Sequence, residues 1–459
     1  MRIHEGKYCD DPRGRSRSQD AVVLAPASTD EVSAIVGICH RESVAIVPFG
    51  GGTGLVGGQL PQDLPRPVVL SLERLNRIRK VSPSGDSMIV EAGCILENVQ
   101  AAADAAGRLF PLSLAAKGSC QIGGNLATNA GGVHVVRYGN ARDLCLGLEV
   151  VLPDSSVWDG LTSLRKDNAG YDLRNLIIGS EGTLGIITAA TLKLFRRPAE
   201  IATALLAVAS PRAALDLHFR FQERFGTMIS AFELIGRTGF DFLEETHPGF
   251  RWPIESRPDW MVLVDLSADT DIDISSRLVE AASKAADDSM VSDGAFPSSA
   301  RQRTDLWGIR ESIPEANRRI GAISSHDISV PVDSVPDFIE AADREVSQVG
   351  NFRINCFGHI GDGNLHYNVF PPRRSANAHL SSEDEVRHAV RRVVRRFRGS
   401  LSAEHGTGRR FSGELATNAD PALFSMMQAV KRALDPNGIM NPGAVLPDPR
   451  LTGSGSSMT

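Results

Sequence analysis

The sequence predicts an α+β protein of at least two domains, and three observations carry that expectation. The chain has 459 residues, beyond the size at which one hydrophobic core usually splits into several. Strand-like apolar runs and helix-period stretches are interleaved along it. Around Arg196–Pro198 the texture changes, which sets a domain boundary near Phe195.

Element by element, Ser28 and Glu31 form a capping box before the helical pattern EVSAIVGICHRE. SVAIVPF then reads as a buried strand, and RPVVLSL, IRKVS and SMIVEAG as further strands. ILENVQAAADAAG is an amphipathic helix ending at Gly107. Beyond the boundary, strands such as ATALLAVA and WMVLVDL alternate with helices until about Asn351. From about Thr417 the chain is helical and ends in DPNGIMNPGAVL, and the tail GSGSSMT reads as disordered slack. The expected division is 1–195, 196–416 and 417–459. The helix after SSEDE carries Arg387, Arg391, Arg392, Arg395, Arg396 and Arg398. It reads as a solvated face, acids first and arginines last as the helix dipole favours, with a docking face for an acidic partner as the lesser reading.

Several function classes drop out. A net charge of −6 gives no electrostatic footprint for nucleic acid. No apolar run approaches the ~20 residues that span a bilayer, and the first residues lack an apolar signal core, so a cytoplasmic protein is expected. The six cysteines are scattered without a C-x-x-C and read as reduced thiols.

The stretch Ile46–Gly58, IVPFGGGTGLVGG, contains six glycines in thirteen residues, with Gly52, Gly54 and Gly57 in G-x-G-x-x-G spacing. A dinucleotide-binding turn of that kind needs a helix opening directly from the loop. Here Pro61, Pro65 and Pro67 follow, and proline cannot sit inside a helix. What remains is a strand running into a nest of backbone N–H groups able to hold an anion such as a nucleotide diphosphate. A second patch, AAKGSCQIGGNLATNAGG, adds Gly118, Gly123, Gly124, Gly131 and Gly132. A third, GSEGTLGIIT, adds Gly179, Gly182 and Gly185. One large cofactor touching all three patches is the economical explanation, and FAD has that size.

A second cluster lies far along the chain. CFGHIGDGNLHYNV carries His359 and His366 with Asp362 and Asn364 between them, and SAEHGTGR carries Glu404 and His405. The GDGN insert reads as a turn that brings the two rings together. Two nitrogens and an oxygen suit a divalent ion with open positions. Taken alone, two histidines near an acid are more often structural; four ligand-type residues in two glycine-flanked stretches weigh the other way. Arg310, alone, reads either as a surface arginine or as a bidentate clamp on a carboxylate.

PFGGGTGL, AKGSCQIGGN-ATNAGG, NAGYDLRNLIIGSEGTLGIIT and NPGAVL together resemble the vanillyl-alcohol-oxidase type of FAD domain. The likeness is to its D-2-hydroxy-acid dehydrogenase branch, which includes D-2-hydroxyglutarate and D-lactate dehydrogenases and the glycolate oxidase flavoprotein subunit. It runs from about Tyr8 to Leu446. It implies a two-part FAD-binding domain and an α/β substrate, or cap, domain with an antiparallel sheet. Pro48, Gly50, Gly51, Gly52, Thr53, Gly54 and Leu55 would wrap the pyrophosphate. Ser119, Gly123, Gly124, Asn125 and Thr128 would line the flavin or its ribityl chain. Gly185 and Ile187 would serve the adenine end or diphosphate, Glu181 would be a further cofactor-binding residue, and Asn441 would reach the isoalloxazine. Thr53 stands where some relatives have a histidine linked to flavin, so the FAD is expected to be non-covalent.

The same resemblance implies His359, His366 and Glu404 as ligands of Zn or Mn, His405 as general base, and Arg310 and Asn364 as further catalytic residues. It implies oxidation of a D-2-hydroxy acid to the 2-oxo acid, hydride passing to FAD N5. The acceptor would be an electron-transfer flavoprotein or a quinone rather than NAD, and a homodimer is compatible. The alternative is a non-catalytic electron-relay subunit of a glycolate-oxidase-like complex. Two residues depart from the hydroxyglutarate-type pattern: Ser325 replaces a lysine and Pro314 a hydroxyl residue, both of which help hold the distal carboxylate. The expectation is thus a substrate with a small or apolar side chain, or a dicarboxylate held by another arginine such as Arg318 or Arg319.

Overall fold

The computed structural model describes residues 6–10, 21–373 and 383–451. The tail expected to be disordered lies outside them. The chain forms two compact units. One comprises the segments 1–131, 139–197 and 404–459, the other 132–138 and 198–403. The crossing at Arg197/Pro198 falls close to the change of texture, but the return comes at Ala403/Glu404 rather than at 416/417.

In the first unit β1 (Val22–Leu24), β2 (Ile46–Phe49) and β3 (Val68–Ser71) make a parallel sheet in the order β1-β3-β2. Helix Thr29–Glu42 precedes β2, and Ser28 caps it by accepting from the Glu31 N–H. The Glu31 carboxylate reaches back to Ala27 N–H at 2.7 Å, one residue earlier than a standard capping box. β4 (Ile78–Ser82) and β5 (Ser87–Glu91) belong to an antiparallel sheet, and β6 (Arg108–Leu109) pairs elsewhere. β7 (Cys145–Val151), β8 (Val157–Gly160) and β9 (Ile186–Lys193) complete that sheet in the order β4-β5-β9-β7-β8, and β10 (Phe195–Arg196) pairs with β6. β5, β7 and β9 are buried on both faces almost throughout, which fits their apolar sequences.

The second unit is one antiparallel sheet. Its strands are β11 (Glu200–Val208), β12 (Ile229–Gly236), β13 (Trp260–Ala268), β14 (Val291–Ala295), β15 (Ser324–Ser329), β16 (Arg353–His359) and β17 (Asn364–Phe370), in the order β14-β11-β13-β12-β16-β17-β15. One face packs on the helices Pro211–Phe225, Ile274–Asp287, Val335–Val349 and Glu383–Arg396 through a large aliphatic core. The last of these buries Val386, Val390, Val393 and Val394 and turns its arginines outward, where Arg387 pairs with Glu383 and Asp384, and Arg392 with Glu345. The opposite face packs in part on helices Arg237–Thr246 and Ala300–Ile320, around Phe240, Phe242, Ile313 and Phe370. The remainder of that face is polar. The six cysteines are thiols, five of them buried. Among the described residues no helix is long and apolar enough to cross a membrane.

Candidate functional site

The first unit brings the three glycine patches together. β2 runs into Gly50, and no helix follows before β3. A side chain on Gly51 would lie 2.1 Å from the Ser119 carbonyl oxygen, and one on Gly50 would lie 3.6 Å from Gly124 Cα. The first loop and the second patch therefore pack backbone on backbone, an approach only glycine permits. The third patch closes from another side: Gly182, at φ +70°, would drive a side chain to 2.3 Å from Pro48 Cγ. Above Gly124 lies open space, with nothing within 4 Å of where a Cβ would stand. Asn125 is buried with Nδ2 3.6 Å from Cys120 Sγ, while the Ser119 and Thr128 hydroxyls donate to the carbonyls of Ala116 and Gly124. These residues fit a large cofactor laid across exposed backbone.

Two residues assigned to the cofactor have other work. Asn441 donates both amide hydrogens, to the Gly58 and Glu181 carbonyls at 2.9 and 2.8 Å, and accepts from Arg409 at 2.8 Å. Its side chain ties the returning C-terminus to two loops. The buried Glu181 carboxylate accepts from the backbone N–H groups of Thr407 and Gly408. Burial pushes its pKa up, against those hydrogen bonds. It thus anchors the segment just after Glu404 and His405, which explains why the return to this unit precedes residue 417. Arg409 adds bonds to the Gly57 and Gly58 carbonyls. Gly185 and Ile187 lie at β9, where a side chain on Gly185 would meet Val150 at 2.8 Å, so the glycine lets β9 approach β7. Thr53, Gly54 and Leu55 lie on the first loop.

The polar face of the second unit holds the other cluster. Register sets it: Glu233 of β12 lies opposite His359 of β16, which lies opposite Asn364 of β17. One row along, His366 lies between Phe357 and Asp327. Residues two apart on a strand share a face, so both histidines point the same way. Their ring centroids are 5.7 Å apart, joined by the tight turn expected from GDGN. Each ring has a carboxylate behind it. Glu233 bonds His359 Nδ1, and Asp327 lies 3.7 Å from His366 Nδ1. For His359 that is the pattern by which imidazole ligands of metals are oriented, and an imidazole held through Nδ1 presents Nε2 as its ligand nitrogen. Asn364 donates to Asp327 and to the Ile328 carbonyl, at 2.9 and 2.8 Å. Among the described residues its buried Oδ1 has no hydrogen-bond partner. Ala403 N–H bonds the Asp327 carbonyl at 3.2 Å, so the chain emerges at Glu404 directly from this strand.

Arg310 is no surface arginine. It is 7 % exposed, bonds Glu233 through Nε and Nη2 at 2.8 and 2.7 Å, and lies over the Phe357 ring at 4.8 Å. Burial alone would raise the Glu233 pKa, but the charges and hydrogen bonds of His359 and Arg310 outweigh it and hold the carboxyl at about 2. The sequence reading missed Glu233. Its one trace in the sequence is a lone acid in the apolar run ISAFELIG, and only register gives it partners.

Residues 21–160 match the family described as FAD binding domain, and residues 197–445 match FAD linked oxidases, C-terminal domain. D-2-hydroxyglutarate dehydrogenase of Arabidopsis thaliana is 35% identical over 431 residues, covering 94% of this chain and 76% of the relative. The Xanthomonas citri enzyme of the same name is 36% identical, covering 92% and 88%. The chain belongs to the FAD-dependent D-2-hydroxy-acid dehydrogenases. Solved structures agree on the fold: p-cresol methylhydroxylase superposes with a TM-score of 0.74 at 16% identity, covering 96% of this chain and 92% of that one, and 4-ethylphenol oxidase from Gulosibacter chungangensis with 0.69 at 18%, covering 97% and 92%.

Against that family the two departures can be placed. Ser325 is exposed on the same face as Asp327, opposite Asn368, so a longer side chain there would project over the polar face. Pro314 is exposed, one helical turn after Arg310. Arg318 and Arg319 lie at the end of the same helix. Both pair with Glu315 at the exposed end of the helix, and Arg319 also bonds the Thr246 carbonyl. At 100° per residue, Arg319 points away from the Arg310 side of that helix.

Proposed function

We propose that this dehydrogenase oxidises a D-2-hydroxy acid to the 2-oxo acid with non-covalent FAD and a divalent cation, Zn or Mn, held by His359, His366 and Glu404. The observation that carries the reading is the pair of same-face histidines, each backed by a carboxylate. Two imidazoles and a carboxylate are a donor set for such a cation.

FAD held along the glycine patches would supply a hydride acceptor, and a cation held by His359, His366 and Glu404 would supply a Lewis acid that makes the substrate hydroxyl more acidic. The chain's own residues do the rest. Arg310 takes the C1 carboxylate with its planar fork and sets which face of C2 is presented. Asn364, with its amide orientation fixed by Asp327 and Ile328, offers Oδ1 as a hydrogen-bond acceptor on the polar face. His405 takes the hydroxyl proton, which an imidazole can do near neutral pH. Glu181 holds the backbone immediately after it. The electron acceptor would be an electron-transfer flavoprotein or a quinone.

The relay alternative is disfavoured, because the curated relatives are named as dehydrogenases and a relay has no use for the polar face. Anaerobic mixing with a panel of D- and L-2-hydroxy acids tests the reading. Flavin bleaching by D-isomers alone is expected; no bleaching by any of them would leave the relay.

A further inference from the structure

Glu233 makes three contacts, and both of its partners carry the proposed chemistry. It is fully buried in β12. Oε2 accepts from Arg310 Nε and Nη2, and Oε1 bonds His359 Nδ1. A buried acid needs a partner, but one would be enough to neutralise it. This one divides its two oxygens between the candidate carboxylate clamp and a candidate metal ligand. Phe357 supplies a common floor, with the Arg310 guanidinium over its ring at 4.8 Å and the His366 ring at 4.9 Å.

We infer that Glu233 is a positioning residue that sets the spacing between the substrate's carboxylate site and its hydroxyl site. One rigid carboxylate on a central strand fixes the ring and tautomer of His359 and, through its other oxygen, the angle of the Arg310 fork. A 2-hydroxy acid carries its carboxylate and hydroxyl on adjacent carbons, so the two groups that receive them must keep a constant separation. A carboxylate shared between those groups imposes it. The inference rests on the assignment of His359 and Arg310 made above.

The test uses FAD-loaded protein, wild type and Glu233→Gln, with two binding constants as readouts. Zn²⁺ affinity of the metal-stripped protein is measured by calorimetry. Affinity for a 2-oxo acid, which cannot be oxidised, is read from the flavin spectrum of the metal-loaded protein. Glutamine keeps the shape, but its NH₂ group meets a donor. The expected result is Zn²⁺ binding weaker by about 10–100-fold, as for other carboxylates that orient metal-bound histidines. The 2-oxo acid should weaken by roughly tenfold or more through loss of a charge-assisted contact that orients Arg310. FAD content should not change. A folded Glu233→Gln protein with both constants within about twofold of wild type overturns the inference. If Glu233→Gln does not fold, Glu233→Asp keeps the charge and shortens the reach by one methylene. At least one constant must then weaken by about fivefold, and a protein in which neither moves holds only a buried counter-ion. Wild-type protein that binds no Zn²⁺ at all sinks the metal assignment, and with it the His359 half, while the 2-oxo acid constant still reads the hold on Arg310.

Discussion

At the scale of single residues, burial changes how Arg310 must be tested. Arg310→Ala removes the clamp, but it also strands the Glu233 carboxylate in the interior. Losing one partner of a buried ion pair costs about 3–5 kcal/mol of stability, so that variant should melt earlier as well as lose kcat/KM. Arg310→Lys separates the effects. It keeps the charge and loses the fork, and kcat/KM should fall by the equivalent of about 2–4 kcal/mol, with a smaller change in Tm. Equal activity with a lowered Tm would make Arg310 structural. Ser325 decides the substrate's far end. Ser325→Lys places a cation over the polar face and should raise turnover of D-2-hydroxyglutarate relative to D-lactate. A wild-type enzyme that already prefers D-2-hydroxyglutarate widely, and a variant that changes nothing, would mean the serine does not choose the substrate. Arg310, His359, His366 and Ser325 could be singled out because each lies in a short local motif. Glu233 could not, because its partners lie 77 and 126 positions away and only β-sheet register brings them together.

At the scale of elements, the glycine patches were legible and their division of labour was not. The proline run excluded a helix after the first loop, and none is present. Which glycines are required by packing and which by a guest depends on what stands opposite. Gly51→Ala would put a methyl into the Ser119 carbonyl, so this variant should fold poorly and lose FAD together with stability. Gly124→Ala meets nothing within 4 Å. It should fold with near-wild-type Tm and yet bind FAD more weakly, by about tenfold or more, if the open space is where the cofactor lies. Thermal unfolding and FAD titration on both variants check this. Gly124→Ala with unchanged FAD affinity would move the cofactor elsewhere. The hairpin of β16 and β17 was foreseen from GDGN, whereas the assignment of 132–138 to the second unit was not. Its cause is tertiary, as Arg137 bonds the Ser267 carbonyl and pairs with Asp269.

For the whole molecule, the glycine loops and the histidine hairpin sit on different pieces of chain. The glycine patches, Gly132 excepted, belong to the first unit, as do Glu404 and His405, while the histidine hairpin and Arg310 belong to the second. Losing the hairpin's function should therefore spare the cofactor. Thr53 stands in the first loop where a linking histidine would be, so acid precipitation should release the flavin into the supernatant; flavin retained on the polypeptide would mean a covalent link through some other residue. Chelation should leave the protein yellow while slowing flavin reduction by a D-2-hydroxy acid strongly, and added Zn²⁺ or Mn²⁺ should restore the rate. His366→Ala removes one of the three donors from a strand that carries none of the glycine patches. It should lower the rate of flavin reduction by two orders of magnitude or more, roughly the weight of a missing ligand in a catalytic metal site. The flavin spectrum and FAD content should stay as in wild type. Rapid-mixing absorbance measures the rate, and elemental analysis the metal. A His366→Ala protein that loses flavin would show that the hairpin supports the cofactor instead. One that keeps its metal and its rate would remove His366 from the ligand set.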